Sequence, residues 1–208
     1  IKSTGSNWWI YGFLALTGFQ LLMIWIYPTW IAPFFNKFVP LEKGELRERI
    51  FKIASEIQFA LSEIFVMDGS KRSSHSNAYF TGLGKNRRIV LFDTLIQLLS
   101  QGELIAVLAH EMGHNKLKHI QKMLLISFSL TFAGFYLWSL LLNYPPLYQA
   151  FGLSGNTLFP ALLVFPLVMG PVTFFLHPLL NLFSRKHEYE ADAFSARVTV
   201  SPPDLQQA

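Results

Sequence analysis

Three long apolar runs separate two polar segments along this 208-residue chain, and that pattern predicts its elements. Trp8 to Tyr27 is uncharged, with Trp8, Trp9, Trp25, Tyr27 and Trp30 gathered at its ends. About 20 apolar residues span a bilayer and Trp/Tyr belts mark its interfaces, so this run predicts a transmembrane helix that Pro28 ends. The run is too long for a cleaved signal peptide, and no small-residue cleavage site follows it. Met123 to Leu142 is a second uncharged run of spanning length. Leu158 to Phe183 is a third, interrupted by Pro160, Pro166, Pro171 and Pro178. Prolines at that density predict a kinked or broken span packed against protein, not a straight helix in lipid. His177 inside this run is read as a hydrogen-bonded structural histidine rather than a cavity residue, and is kept out of the site.

Between the first two runs the period changes. Leu46, Ile50, Ile53, Ile57, Ala60 and Leu61 recur at helical spacing and predict a helix over Glu45 to Ile64. Ile64 to Met67, Ala78 to Thr81 and Arg88 to Phe92 are β-prone, with turns at Asp68-Gly69 and Gly82-Leu83-Gly84. A small sheet is therefore expected, followed by a helix over Asp93 to Leu99. Ser100-Gln101-Gly102-Glu103 has the S-x-x-E form of a capping box, which starts the next helix at about Gln101.

Composition sharpens the picture. The chain is 51% hydrophobic and only 14% charged, where a soluble domain carries about 25% charged residues, so a membrane protein is expected. It has no cysteine, which excludes disulfides and thiolate zinc sites. Thirteen of its 17 Lys and Arg fall between residues 28 and 122, Arg185-Lys186 open the tail, and the loop between the second and third runs has none. The positive-inside rule then puts both charged segments in the cytosol and that loop on the far side. The basic residues form no long run, so no nucleic-acid partner is expected. Lys71-Arg72 and Arg87-Arg88 read as solvated loop charges ahead of a role at an anionic membrane surface.

The chemistry lies in two places. His110-Glu111-Met112-Gly113-His114 is an H-E-x-x-H motif on the capped helix. Positions four apart share a helical face, so His110 and His114 can point at one ion, and Glu111 can reach a metal-bound water without being a ligand. The competing reading is an amphipathic helix with two surface histidines; the apolar flanks speak against it. In the tail, Glu188 and Asp192 share a helical face while Glu190 points roughly opposite. One of the two carboxylates can complete a zinc site with two histidines, and the other can accept a ligand histidine's N–H. Spacing leaves open which does which, and a solvated acidic helix start is the plainer alternative.

The motifs Gly69 to Phe80, Arg88 to Leu95, His110 to His119 and Glu188 to Phe194 together closely resemble the type I CAAX prenyl proteases. These are integral-membrane zinc endopeptidases that process farnesylated proteins such as prelamin A and a-factor precursor. The resemblance runs from about Trp8 to the end. It implies one zinc ion held by His110, His114 and Glu188, Glu111 as the base, Asp192 as partner to a ligand histidine, and Asn77-Ala78-Tyr79 on an edge strand along which substrate lies. It also implies transmembrane helices around a chamber, closed on the cytosolic side by a zincin-like α+β catalytic domain, in the endoplasmic reticulum. Asn115 departs from the family's usual Trp and His187 from its frequent aromatic.

The expected organisation is a transmembrane helix with flanks (1–30), a cytosolic catalytic part (31–122), two spans joined by an uncharged lumenal loop (123–183) and a helix carrying the third ligand (184–208). The family's earlier spans and a later His-Pro-Pro segment are missing from the sequence, which is expected to be a truncated piece of a longer protein. Function is expected to be zinc-dependent cleavage of the C-terminal CAAX region of prenylated proteins at the lipid bilayer. A broader membrane quality-control protease and an inactive truncated membrane scaffold are the alternatives.

Overall fold

The polar middle of the chain builds a four-stranded mixed sheet backed by helices, as seen in a computed structural model describing residues 5–71, 77–81, 87–153 and 158–199. The strands are β1 (Phe38–Pro40), β2 (Leu61–Met67), β3 (Ala78–Thr81) and β4 (Arg87–Phe92), in the order β1-β2-β4-β3. β1 runs antiparallel to β2, β2 parallel to β4, and β3 antiparallel to β4 with Tyr79 opposite Val90. β3 is thus an outer strand. Helices α3 (Glu45–Glu56), α4 (Asp93–Leu98) and α5 (Gln101–Lys116) supply the rest of the core. Ile50 and Ala54 of α3, Ile64, Ile89 and Leu91 of the sheet, and Leu104, Leu108 and Met112 of α5 form one buried cluster. The α5 residues recur every four positions, so a single stripe of that helix faces the sheet.

Several boundaries differ from the expected ones. α3 stops at Glu56 rather than continuing to Ile64: Gln58 takes φ 54° and β2 begins at Leu61. β1 went unexpected, being three residues long and too short for an alternating pattern. The turn expected at Gly82-Leu83-Gly84 lies outside the described residues, as do Arg72 and the tail from residue 200.

The other unit comprises Ile1–Ile24 and Gln121–Arg185. It contains most of α1 (Trp8–Ile26) and of α6 (His119–Leu142), α7 (Pro145–Ala150) and the first part of α8 (Leu158–Thr199). α1 has no buried residue and packs through rings: Trp8 on Trp138 and Trp9 on Phe132, both with centroids 5.3 Å apart. Trp138 stacks in turn on Phe165 of α8. α1, α6 and α8 are each long and apolar enough to cross a membrane. Phe159, Phe174 and Phe175 are each more than 70% exposed, an exposure of large apolar side chains that marks a membrane or protein contact.

Two proline expectations need correction. Pro28 does not end the first helix, because Tyr27–Ile31 forms a π-helical turn that passes directly into α2 (Ala32–Phe35). The widened turn accommodates a residue that has no N–H to donate. α8 is likewise unbroken across Pro166, Pro171 and Pro178, consistent with the tolerance of membrane helices for proline. His177 lines an apolar cleft of about 600 Å³ between α6 and α8, so it is a cavity residue after all.

Candidate metal centre

α5 is built to present its histidines away from the core. The capping box forms as expected: Ser100 Oγ accepts from the Glu103 N–H, and the Glu103 carboxylate accepts from the Ser100 N–H at 2.9 Å. At 100° per residue, His110 lies about 200° round from Leu108, on the side opposite the sheet. Lys116 Nζ donates to the Ile57 carbonyl at 2.9 Å and ties the far end of α5 to α3.

The end of α8 lies across this exposed face. A Cβ on Gly113 would sit 3.3 Å from Ala191 Cα and 3.1 Å from Phe194 Cδ1, so the helices meet where α5 lacks a side chain. Ser195 Oγ donates to the Ala106 carbonyl at 2.7 Å, two turns of α5 before Gly113. These contacts place Glu188 over the two histidines.

His110 Nε2 and His114 Nε2 are 3.0 Å apart, and Glu188 Oε2 is 3.4 Å from the first and 3.5 Å from the second. Atoms bound tetrahedrally at zinc distances stand about 3.3 Å from one another. The three atoms therefore fit around one ion, and His110, His114 and Glu188 form a group that could hold a metal. His110 Nδ1 lies 2.8 Å from Asp192 Oδ1. A carboxylate there accepts the Nδ1–H and keeps the proton on that nitrogen, so His110 Nε2 presents a lone pair to the centre. Burial pushes the Glu111 carboxyl above its usual range, partly offset by His114 and His110, with Glu188 adding to the rise.

Asn77, Ala78 and Tyr79 fall elsewhere in the same unit, at the start of the outer strand β3, which contacts α5. The Asn77 carbonyl accepts from the Phe92 N–H at 3.0 Å. By antiparallel alternation, Ala78 and Phe80 then aim their backbone groups at the edge that no strand among the described residues pairs with. The Asn77 side-chain oxygen accepts from the Ala78 N–H at 2.8 Å. Burial, and secondarily Tyr27, push the Tyr79 phenol up.

Three residues of the site escaped the sequence reading. His119 Nδ1 is 3.0 Å from His114 Nδ1, and His119 Nε2 is 3.0 Å from Glu190 Oε2. His187 stacks flat on His119, with centroids 4.2 Å apart at 12°, as an aromatic ring would. The only signals were a third histidine five positions after the motif and a third carboxylate between the two expected ones.

Residues 40–207 match the model of peptidase family M48. The chain belongs to peptidase family M48. Residues 1–37 match a second model, the CAAX prenyl protease N-terminal family with five membrane helices. Among M48 relatives, "CAAX prenyl protease 1 homolog" of Dictyostelium discoideum is 44% identical over 95% of this chain and 47% of its own length. "CAAX prenyl protease 1" of Saccharomyces cerevisiae is 44% identical over 94% of this chain and 46% of its own. The human homologue is 38% identical over 95% and 50%. The crystal structure of S. mikatae Ste24p superposes with a TM-score of 0.79 at 39% identity, over 91% of this chain and 48% of that one. The chain thus spans about half the length of these relatives. It is an M48 member with membrane-spanning helices and a small mixed sheet.

Proposed function

We propose that these residues form the zinc site of a membrane endopeptidase that cuts the C-terminal CAAX region of prenylated proteins. The observation that supports this most is the convergence of His110 Nε2, His114 Nε2 and Glu188 Oε2 within 3.0 to 3.5 Å of each other. The relatives' names carry the substrate class. When bound, zinc supplies Lewis acidity toward water and toward the scissile carbonyl. Glu111 takes a proton from the attacking water and returns it to the departing amine. Asp192 keeps the His110 proton on Nδ1. The substrate strand adds to the open edge of β3, and the Asn77 amide yields the Ala78 N–H to it. The charge pattern favours the cytosolic side for the site, and the family resemblance favours the endoplasmic reticulum as its membrane.

Detergent-purified protein should carry about one zinc per chain, and Glu188→Ala should lose it; an unaltered chain without zinc sinks the site. Glu111→Gln should keep the metal while cleavage of a farnesylated CAAX peptide falls by about 10²-fold or more. Equal cleavage of prenylated and unprenylated peptides would overturn the substrate assignment and leave the metal site standing.

A further inference from the structure

We propose that His119 and Glu190 are positioning residues of the metal centre: they set the tautomer of His114 and aim its Nε2 lone pair at the ion. The proposal rests on reading His110, His114 and Glu188 as metal ligands. His110 has Asp192 at its outer nitrogen; the outer nitrogen of His114 faces an imidazole.

The proton order along this chain follows from hydrogen-bond chemistry. Glu190 Oε2 is 3.0 Å from His119 Nε2, and a carboxylate can only accept, so that nitrogen carries the proton. A neutral His119 then has a bare Nδ1. At 3.0 Å, His119 Nδ1 accepts from His114 Nδ1, which leaves His114 Nε2 without a proton. In the reverse order His119 Nε2 would be bare against the Glu190 carboxylate, and the proton of His114 would sit on the atom meant for the metal. His119 is almost fully buried, at 2% exposure, so water does not substitute for either contact.

The backbone is arranged for this meeting. Five residues along a continuous helix would turn His119 about 140° away from His114. Instead α5 ends at Lys116, and Lys118 takes φ 58°, the left-handed region, before α6 starts at His119. A lysine occupies that region at a steric cost, and the turn swings the third ring against the second. His187 stacked on the other face fixes its plane. α8 thus delivers Glu188 to the metal and Glu190 to its support.

Zinc affinity by chelator competition, beside the melting temperature of the metal-free protein, tests the proposal. His119→Phe keeps the ring and its stacking but removes the acceptor. It should weaken zinc about 10–100-fold, the usual cost of losing a ligand's supporting partner, with the metal-free melt unchanged. His119→Asn places an oxygen near the lost Nδ1 and should recover most of that affinity. Glu190→Leu should weaken zinc without unfolding the protein. Phe and Asn variants that bind zinc like the unaltered chain would overturn the proposal. Equal weakening in both would also overturn it, by showing that ring volume matters and the acceptor does not. Absence of zinc from the unaltered chain would fail the metal-centre reading itself, a distinct result.

Discussion

Asp93 joins two turns through one carboxylate. Its Oδ1 accepts from the Ser70 N–H at 2.9 Å and the Thr94 N–H at 2.8 Å, and its Oδ2 accepts from the Ser70 hydroxyl. The Ser70 hydroxyl is the largest cause that holds this carboxyl below the usual range; desolvation opposes it next, the Ser70 and Thr94 N–H groups add to the lowering, and Asp68 opposes it least. The sign follows. A depressed folded pKa means that the contribution is present above the unfolded value, about 3.9, and is lost as pH falls through the lower folded one. Asp93→Asn should therefore lower the melting temperature near pH 7 and lose less between neutral and strongly acid pH than the unaltered chain. The group is solvent-exposed, so the difference is small, a few degrees at most. Coincident melts at both pH values would show that the carboxylate contributes nothing.

Between elements, the decisive contact is that of α5 with the end of α8. Gly113→Ala would add helix propensity worth about 1 kcal/mol to α5. The new methyl would also press on Ala191 Cα at 3.3 Å, backbone of the helix that carries Glu188 and Asp192. We expect zinc affinity to fall about tenfold, comparable with losing a ligand's support, even where the metal-free melt rises; chelator competition reads it directly. Ser195→Ala, which removes the bond to the Ala106 carbonyl, should cost about 1 kcal/mol of stability. Much of this level was legible in the sequence. Ser100 and Glu103 marked the start of α5, Ala78 to Thr81 was read to the residue as a strand, and the three apolar runs became three long helices. What stayed hidden was set by turns and by tertiary support. No local pattern announces that Lys118 will adopt φ 58° and bring His119 under His114, and Glu190 looked misdirected because its partner comes from a third helix. Pro28 and the α8 prolines were read as breaks because the soluble-helix cost of proline does not carry over to a widened turn or a membrane span.

At the scale of the whole molecule, charge and hydropathy bear on the same question of placement. Lys and Arg concentrate between residues 28 and 122, while residues 143–157, which include α7, carry no charge at all. The positive-inside bias acts close to the ends of spans, where Lys37, Lys43, Lys116, Lys118 and Lys122 lie, so the pattern is worth testing as an orientation. The absence of cysteine makes the test clean, since every label must report an introduced thiol. Lys52 on α3 and Gln149 on α7 are both exposed. Lys52→Cys should react with a membrane-impermeant maleimide only when the reagent reaches the cytosolic face, and Gln149→Cys only from the opposite face. Labelling of Lys52→Cys only from the far face and of Gln149→Cys only from the cytosolic face would reverse the topology and remove the site from the compartment where prenylated chains are made; labelling of both from one side would show that α6 does not cross. Protection of Gln149→Cys from both sides would instead place α7 within the bilayer. Carbonate extraction supplies the control, because a chain with three spanning helices should stay in the membrane pellet whichever way it faces.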